Sequence, residues 1–222
     1  MTKVLIPALL LALTATAPPA RVAGAQTPGY DRSTPLPPRA PIARADEIRM
    51  ARAAAPAAVS DHATIWVAGA RGYEIAVQGT NGWGCFVQRN SAGTGTFPRC
   101  DDAERVAALY PVYHLLEAHR AQGRSANDYD RDVAAGYASG KYRAPATGAM
   151  SYMLAEGAIP PHFMVSVPHC TVEKLGLATP EQMADTTLKI VLRGLDTPDC
   201  DLVVFTPPES RRHHGVVVGR PR

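Results

Sequence analysis

Residues 73–78 alternate in polarity, with Tyr73, Ile75 and Val77 on one face and Glu74, Ala76 and Gln78 on the other. That period of two predicts a half-buried strand. Residues 63–68 predict a strand before it, joined through a turn at 69–72. After it comes Asn81-Gly82, a dipeptide favoured in type I′ turns because both central residues need positive φ. The pattern therefore predicts a hairpin into a return strand over 83–88. Its register would pair Gln78 with Cys85, Val77 with Phe86 and Ala76 with Val87. Residues 63–88 are thus expected as a three-stranded antiparallel meander.

Helical spacing dominates elsewhere. Ile48, Met50, Ala51 and Ala54 predict the buried stripe of a short helix, with Asp46 as N-cap, Glu47 in the first turn and Pro56 as its end. Residues 90–98 read as a Gly/Thr/Ser loop. Asp101 or Asp102 then caps a helix to about Ala121, carrying Val106, Leu109, Tyr113 and Leu116, with Pro111 as a kink or a restart. Gly123 stops it. Ser125 and Asp128 predict a capping-box start for the next helix, which bears Tyr129, Val133 and Tyr137 and ends at Gly140. Met150, Tyr152 and Leu154 suggest a short strand, and residues 162–167 another. Short helical turns are expected at 171–175 and 180–183. Residues 201–205 read as a last strand buried on both faces.

The two ends differ from this body. Residues 4–17 are mostly apolar behind Lys3, and Ala23-Gly24-Ala25 has small-x-small character. Residues 1–25 are therefore expected to be a secretory signal peptide, leaving Gln26 first in the mature chain. Residues 26–43 carry five prolines and read as an extended, poorly packed linker. Residues 44–206 are expected as one α+β domain, and 207–222 as a disordered tail. The expected architecture is an antiparallel sheet with helices mainly on one face. Removing Lys3 and Arg21 with the leader lowers the formal charge from +3 to +1. Such a balance disfavours nucleic acid as a partner. No mature segment is apolar enough to span a membrane.

Cys85, Cys100, Cys170 and Cys200 suit disulfides in an exported chain. Four cysteines allow three pairings. Cys85–Cys100 with Cys170–Cys200 is preferred, and buried free thiols stay open as the alternative.

Strong catalytic signatures are absent: there is no Gly-x-Ser-x-Gly, His-Glu-x-x-His, Ser-x-x-Lys, Walker loop or Cys-x-x-Cys. Gly93-Thr94-Gly95 lacks the context of a dinucleotide site. Asp128, Asp130 and Asp132 start like a calcium loop, but Val133 and Ser139 stand where Gly and Glu are needed. Asp101, Asp102 and Glu104 are accounted for by capping. His114 and His119 are five apart and point away from each other on a helix. His213-His214 falls in the tail.

Two constellations carry chemistry. Met150, Met153, His162 and Met164, followed by His169 and Cys170, form a soft-ligand set suited to copper. Core filling is the alternative use of such methionines. Trp66 and Trp83 would floor a ligand cleft if both lie on one sheet face, or else pack as core.

The runs Thr80-Asn81-Gly82-Trp83-Gly84-Cys85-Phe86-Val87, Gly148-Ala149-Met150-Ser151-Tyr152-Met153-Leu154 and Pro161-His162-Phe163-Met164 resemble those of a group of exported bacterial proteins of unknown function. The resemblance covers about residues 45–170. It implies an exported globular domain and brings no activity or catalytic residue. The expected function is binding of a small molecule or an envelope partner outside the inner membrane. A hydrolase without a standard motif, or a copper-handling protein, is the alternative.

Overall fold

A computed structural model describes residues 30–154, 161–176 and 190–205. The expected leader, residues 26–29, the turn at 180–183, the 207–222 tail and His213-His214 lie outside the described residues. The chain order is α1 (Arg44–Ala53), α2 (Ala57–Ser60), β1 (Thr64–Gly69), β2 (Gly72–Val77), β3 (Gly84–Arg89), β4 (Thr96–Asp101), α3 (Ala103–Ala121), α4 (Ala126–Ala138), β5 (Met150–Met153), β6 (His162–Ser166), β7 (Ile190–Arg193) and β8 (Asp201–Phe205). The eight strands form one mixed, mostly antiparallel sheet in the order β2-β1-β3-β4-β5-β6-β8-β7. The class is α+β, as the patterning predicts.

The first departure is at Asn81-Gly82. β2 does not pair with the return strand. β1 lies between β2 and β3, and β3 runs parallel to β1 through Thr64↔Gly84 and Ile65↔Cys85. Only Gly82 has positive φ, at 80°, so the type I′ turn does not form. Tertiary hydrogen bonds explain why. The Asn81 carboxamide donates to the Val59 carbonyl (2.8 Å) and accepts from the Trp83 N–H (3.0 Å). The Thr80 N–H reaches the His62 carbonyl (2.8 Å). The chain thereby crosses the start of β1, so close that a Cβ on Gly79 would lie 2.2 Å from the Thr64 nitrogen. Glycine is required there for close approach.

The second departure is β4, which occupies part of the expected 90–98 loop and pairs with β3 over Gly84↔Asp101 to Arg89↔Thr96. Pro98 is tolerated because β5 pairs only with Arg99–Asp101. Its side chains alternate sharply. Cys100 and Cys85 face α1, in a core with Ala51, Ala54, Ala63, Ile65 and Val87. Arg99 and Asp101 face the other way, on the side where Phe86 packs under Ala108, Leu109, Tyr110 and Tyr113 of α3. Helices therefore cover both faces, the two longest on one and α1 on the other.

Caps follow the sequence closely at two ends. The Asp102 side chain accepts the Arg105 N–H (2.9 Å), and Ser125 with Asp128 forms a full capping box. At α1 the N-cap is Ala43 rather than Asp46, which sits in the first turn. The Pro-rich stretch is tied down from Asp31 onward, contrary to the expectation of a loose linker. Leu36 is buried, its N–H donates to the Arg124 carbonyl (2.8 Å), and Pro35 bridges to Ser125. Both preferred disulfides are present. Cys85–Cys100 joins directly opposed residues of β3 and β4, and Cys170–Cys200 ties the segment after β6 to the start of β8.

Candidate functional site

Four charged side chains meet under α3 without any solvent exposure: Arg99, Asp101, Arg105 and Asp201. Strand period two places Arg99 and Asp101 on one face. Arg99 grips Asp101 with two prongs, Nε at 2.9 Å and Nη2 at 2.8 Å. Its Nη1 donates to Gln88 (2.7 Å), and its plane lies 4.7 Å over the Tyr113 ring. Arg105 comes down from the first turn of α3. It donates to Asp101 (3.0 Å) and Asp201 (2.5 Å), and to the Ser166 hydroxyl. Burial alone would raise the Asp101 pKa, but the Arg99 and Arg105 charges outweigh it and hold the carboxyl below the usual range. The same attraction raises both guanidinium pKa values despite burial. Arg99, Asp101 and Arg105 keep their charges through the neutral range. Ser151 and Ser166 contact guanidinium groups rather than a histidine. This arrangement fixes β4, α3 and β8 together.

A cavity of about 230 Å³ opens beside it. That equals the liquid volume of about eight waters. Helical spacing brings Tyr113, Leu116 and Glu117 of α3 and Tyr129, Val133 and Tyr137 of α4 to its walls. Phe86, Gln88 and Arg89 close it from the sheet, as do Arg193 of β7 and Asp199 of the β7–β8 connection. Gln88 and Tyr113 also hold Arg99, so the ion network is the cavity's backing.

The Arg89 end has its own cause. β1 and β3 part company after Ile65 and Cys85, leaving strand edges to be satisfied. Glu47, on the first turn of α1, takes the Ala68 N–H (3.2 Å) and the Arg89 Nη1 (3.0 Å). Arg89 Nη1 also donates to the Val87 carbonyl (3.2 Å), as does the Tyr73 hydroxyl (2.6 Å). Glu47 and Arg89 are 3% and 2% exposed. Glu117 lies in the same cavity wall and pairs with Arg39 (3.0 Å) and Arg120 (3.2 Å).

Polar atoms are left over. Arg89 Nε and Nη2 and the Tyr113 hydroxyl are buried with no hydrogen-bond partner. Burial raises the pKa of Tyr73 and Tyr113, and pushes Tyr137 up to about 12. These phenols stay protonated at neutral pH and act as hydrogen-bonding groups, not bases. Among the described residues, no histidine, serine or cysteine lines the cavity.

The residues expected from sequence fall elsewhere. Trp66 packs on the α3 side, 4.8 Å from His114 and 6.0 Å from Tyr110. Trp83 packs on the α1 side, 5.7 Å from Tyr152. The two indoles sit in different core clusters, so they do not share a cleft floor. In the soft-ligand set, Met153 opposes His162 and Met164 opposes Ser151 on one face, while Met150 opposes Val165 on the other. Met153 and Met164 pack with Val203 as core. Cys170 is disulfide-bonded and supplies no thiolate. Among the described residues, no group of three histidine, cysteine or carboxylate side chains is placed to hold a metal ion. Asp101 is an ion-network member rather than a cap.

The cavity walls were visible as helical periodicity in Tyr113, Tyr129, Val133 and Tyr137, but nothing in that spacing separates a cavity from a filled core. Arg89 carried no signal, because it follows an apolar strand as an ordinary flanking charge would. Comparison with family models, curated proteins and solved structures gave no match.

Proposed function

We propose that this chain is an exported small-molecule-binding protein whose site is the cavity between α3, α4 and the sheet. The observation that carries this reading is a cavity walled by aromatic side chains in which the buried Tyr113 hydroxyl has no partner. A buried hydroxyl without a partner costs about 1–3 kcal/mol, so a ligand that satisfies it gains that much relative to one that does not. Small-molecule sites combine such apolar walls with a few placed polar groups. Two disulfides fit maturation in an oxidising compartment, and no described helix is long and apolar enough to cross a membrane.

The test is to fill the space. Val133→Trp places an indole into the cavity from α4. Ligand-observed NMR against a library of small aromatic compounds should give hits for the native protein and none for the variant, at unchanged thermal stability. Identical hit lists from both proteins would place binding elsewhere.

A further inference from the structure

Arg89 is held by only one of its three guanidinium nitrogens. Nη1 makes both contacts, to Glu47 and to the Val87 carbonyl. Nε and Nη2, which form one edge of the planar group, are buried and unpartnered. That edge is a fork matched to two oxygens of one planar anion. The same molecule shows what such an edge holds: Arg99 uses Nε and Nη2 to grip the Asp101 carboxylate at 2.9 and 2.8 Å. Arg89 is 2% exposed and lines the cavity. A desolvated, unsatisfied guanidinium edge is costly unless something completes it.

Local charge points the same way. Arg39 and Arg120 share Glu117 while Arg89 pairs with Glu47, so three guanidinium groups meet two carboxylates and leave one positive charge in excess. The Tyr73 hydroxyl lies beside the Arg89 guanidinium but donates its proton to the Val87 carbonyl. Resting on the binding reading above, we infer that the cavity's ligand is a small aromatic carboxylate, its two oxygens on Nε and Nη2 of Arg89 and its ring among the tyrosines. A single excess charge suits a monoanion better than a phosphate dianion. A benzoate-sized body fits a space of about 230 Å³, where a nucleotide does not.

The experiment titrates the full oxidised chain by calorimetry at low ionic strength. The probes are benzoate and 4-hydroxybenzoate, their neutral amides, and phenyl phosphate. The acids should bind at least tenfold more tightly than the amides. Because Arg89→Gln alone strands the Glu47 carboxylate, the variant is the double change Glu47→Gln with Arg89→Gln, which removes both charges together. It should bind acid and amide alike. Arg89→Lys, which keeps the charge and loses the fork, should lower the acid preference at least threefold. Equal affinity for acids and amides in the native protein overturns the carboxylate assignment while leaving the cavity as a binding site. Tenfold tighter phenyl phosphate also overturns it, as does an acid preference that survives the double change. Absence of binding by every probe overturns both the assignment and the cavity reading.

Discussion

Asp101 stands between two arginines, all three fully buried, and that burial decides what its removal does. Arg99 and Arg105 both donate to it, and Ser151 completes the Arg99 side. A buried ion pair is weak evidence of net stabilisation, since desolvation offsets much of the attraction. Breaking one is different, because the partners remain charged and buried. Asp101→Asn keeps the shape and removes the charge, so it should cost about 3–5 kcal/mol at pH 7 by urea denaturation. The pH dependence has a definite sign. The folded pKa lies below the unfolded value of about 3.9, so the contribution is present above that value and is lost as pH falls through the folded one. The native protein should therefore lose stability steeply below about pH 4, and Asp101→Asn less steeply. A variant within 1 kcal/mol of the native protein at pH 7 would remove the network from the account of the fold. At this scale the sequence is least legible. Arg99, Asp101 and Arg105 look like solvated charges beside a helix cap, because nothing local reveals that Ser166 and Asp201 arrive from far along the chain to enclose them.

Elements were legible where one local rule acts alone. α4 was readable at its start because Ser125 and Asp128 satisfy each other's backbone within one turn. The α1 stripe was readable because Ala51 and Ala54 recur at helical spacing against one sheet face. β4 was not, since its buried side chains are charged on one face and its apolar alternation is broken by Pro98. The crossover at residues 79–83 failed for another reason. Asn-Gly favours a hairpin only while its own backbone decides, and here Val59 and His62 recruit the turn to the neighbouring helix end. Gly79 offers the sharpest test of that crossing. A methyl group there meets the Thr64 nitrogen and the Ala63 carbonyl carbon, at 2.2 and 2.3 Å, and neither can rotate away. Overpacking of a core costs about 1–3 kcal/mol, and a backbone obstacle should reach the top of that range. Gly79→Ala should lower the urea midpoint accordingly, whereas Gly123→Ala, with nothing near its Cβ position, should show only the smaller cost of its positive φ. Equal losses at the two sites would contradict the crossing.

At the scale of the molecule, the described residues support the sheet unevenly. α1 packs on β1, β3 and β4, and α3 on β2, β3 and β4. Among the described residues, no helix packs broadly on β5, β6, β7 or β8. Among the described residues, that half is held by strand pairing, by the Arg105 link from α3 to Asp201 and Ser166, and by the Cys170–Cys200 bridge. Such an arrangement makes local opening unequal, because free energies of opening follow the packing around each unit. Native-state hydrogen exchange should show β3 and β4 amides protected up to the global stability, and β6 and β8 amides exchanging through a cheaper opening. The two bridges then separate the halves. Cys170 and Cys200 close a loop of 30 residues, worth about 3.6 kcal/mol in the chain-entropy account, against about 3 kcal/mol for the 15 residues between Cys85 and Cys100. Replacing Cys170 and Cys200 together by serine should therefore lower protection in β6 and β8 selectively, with β3 and β4 following only as far as the global stability falls. The cavity, whose wall takes Arg193 and Asp199 from the weaker half, should open with it, so that a bound ligand restores protection in β8 before it affects β3. Uniform loss of protection across all strands would mean that the sheet opens as one unit, and the coupling between cavity and weaker half would fall with it.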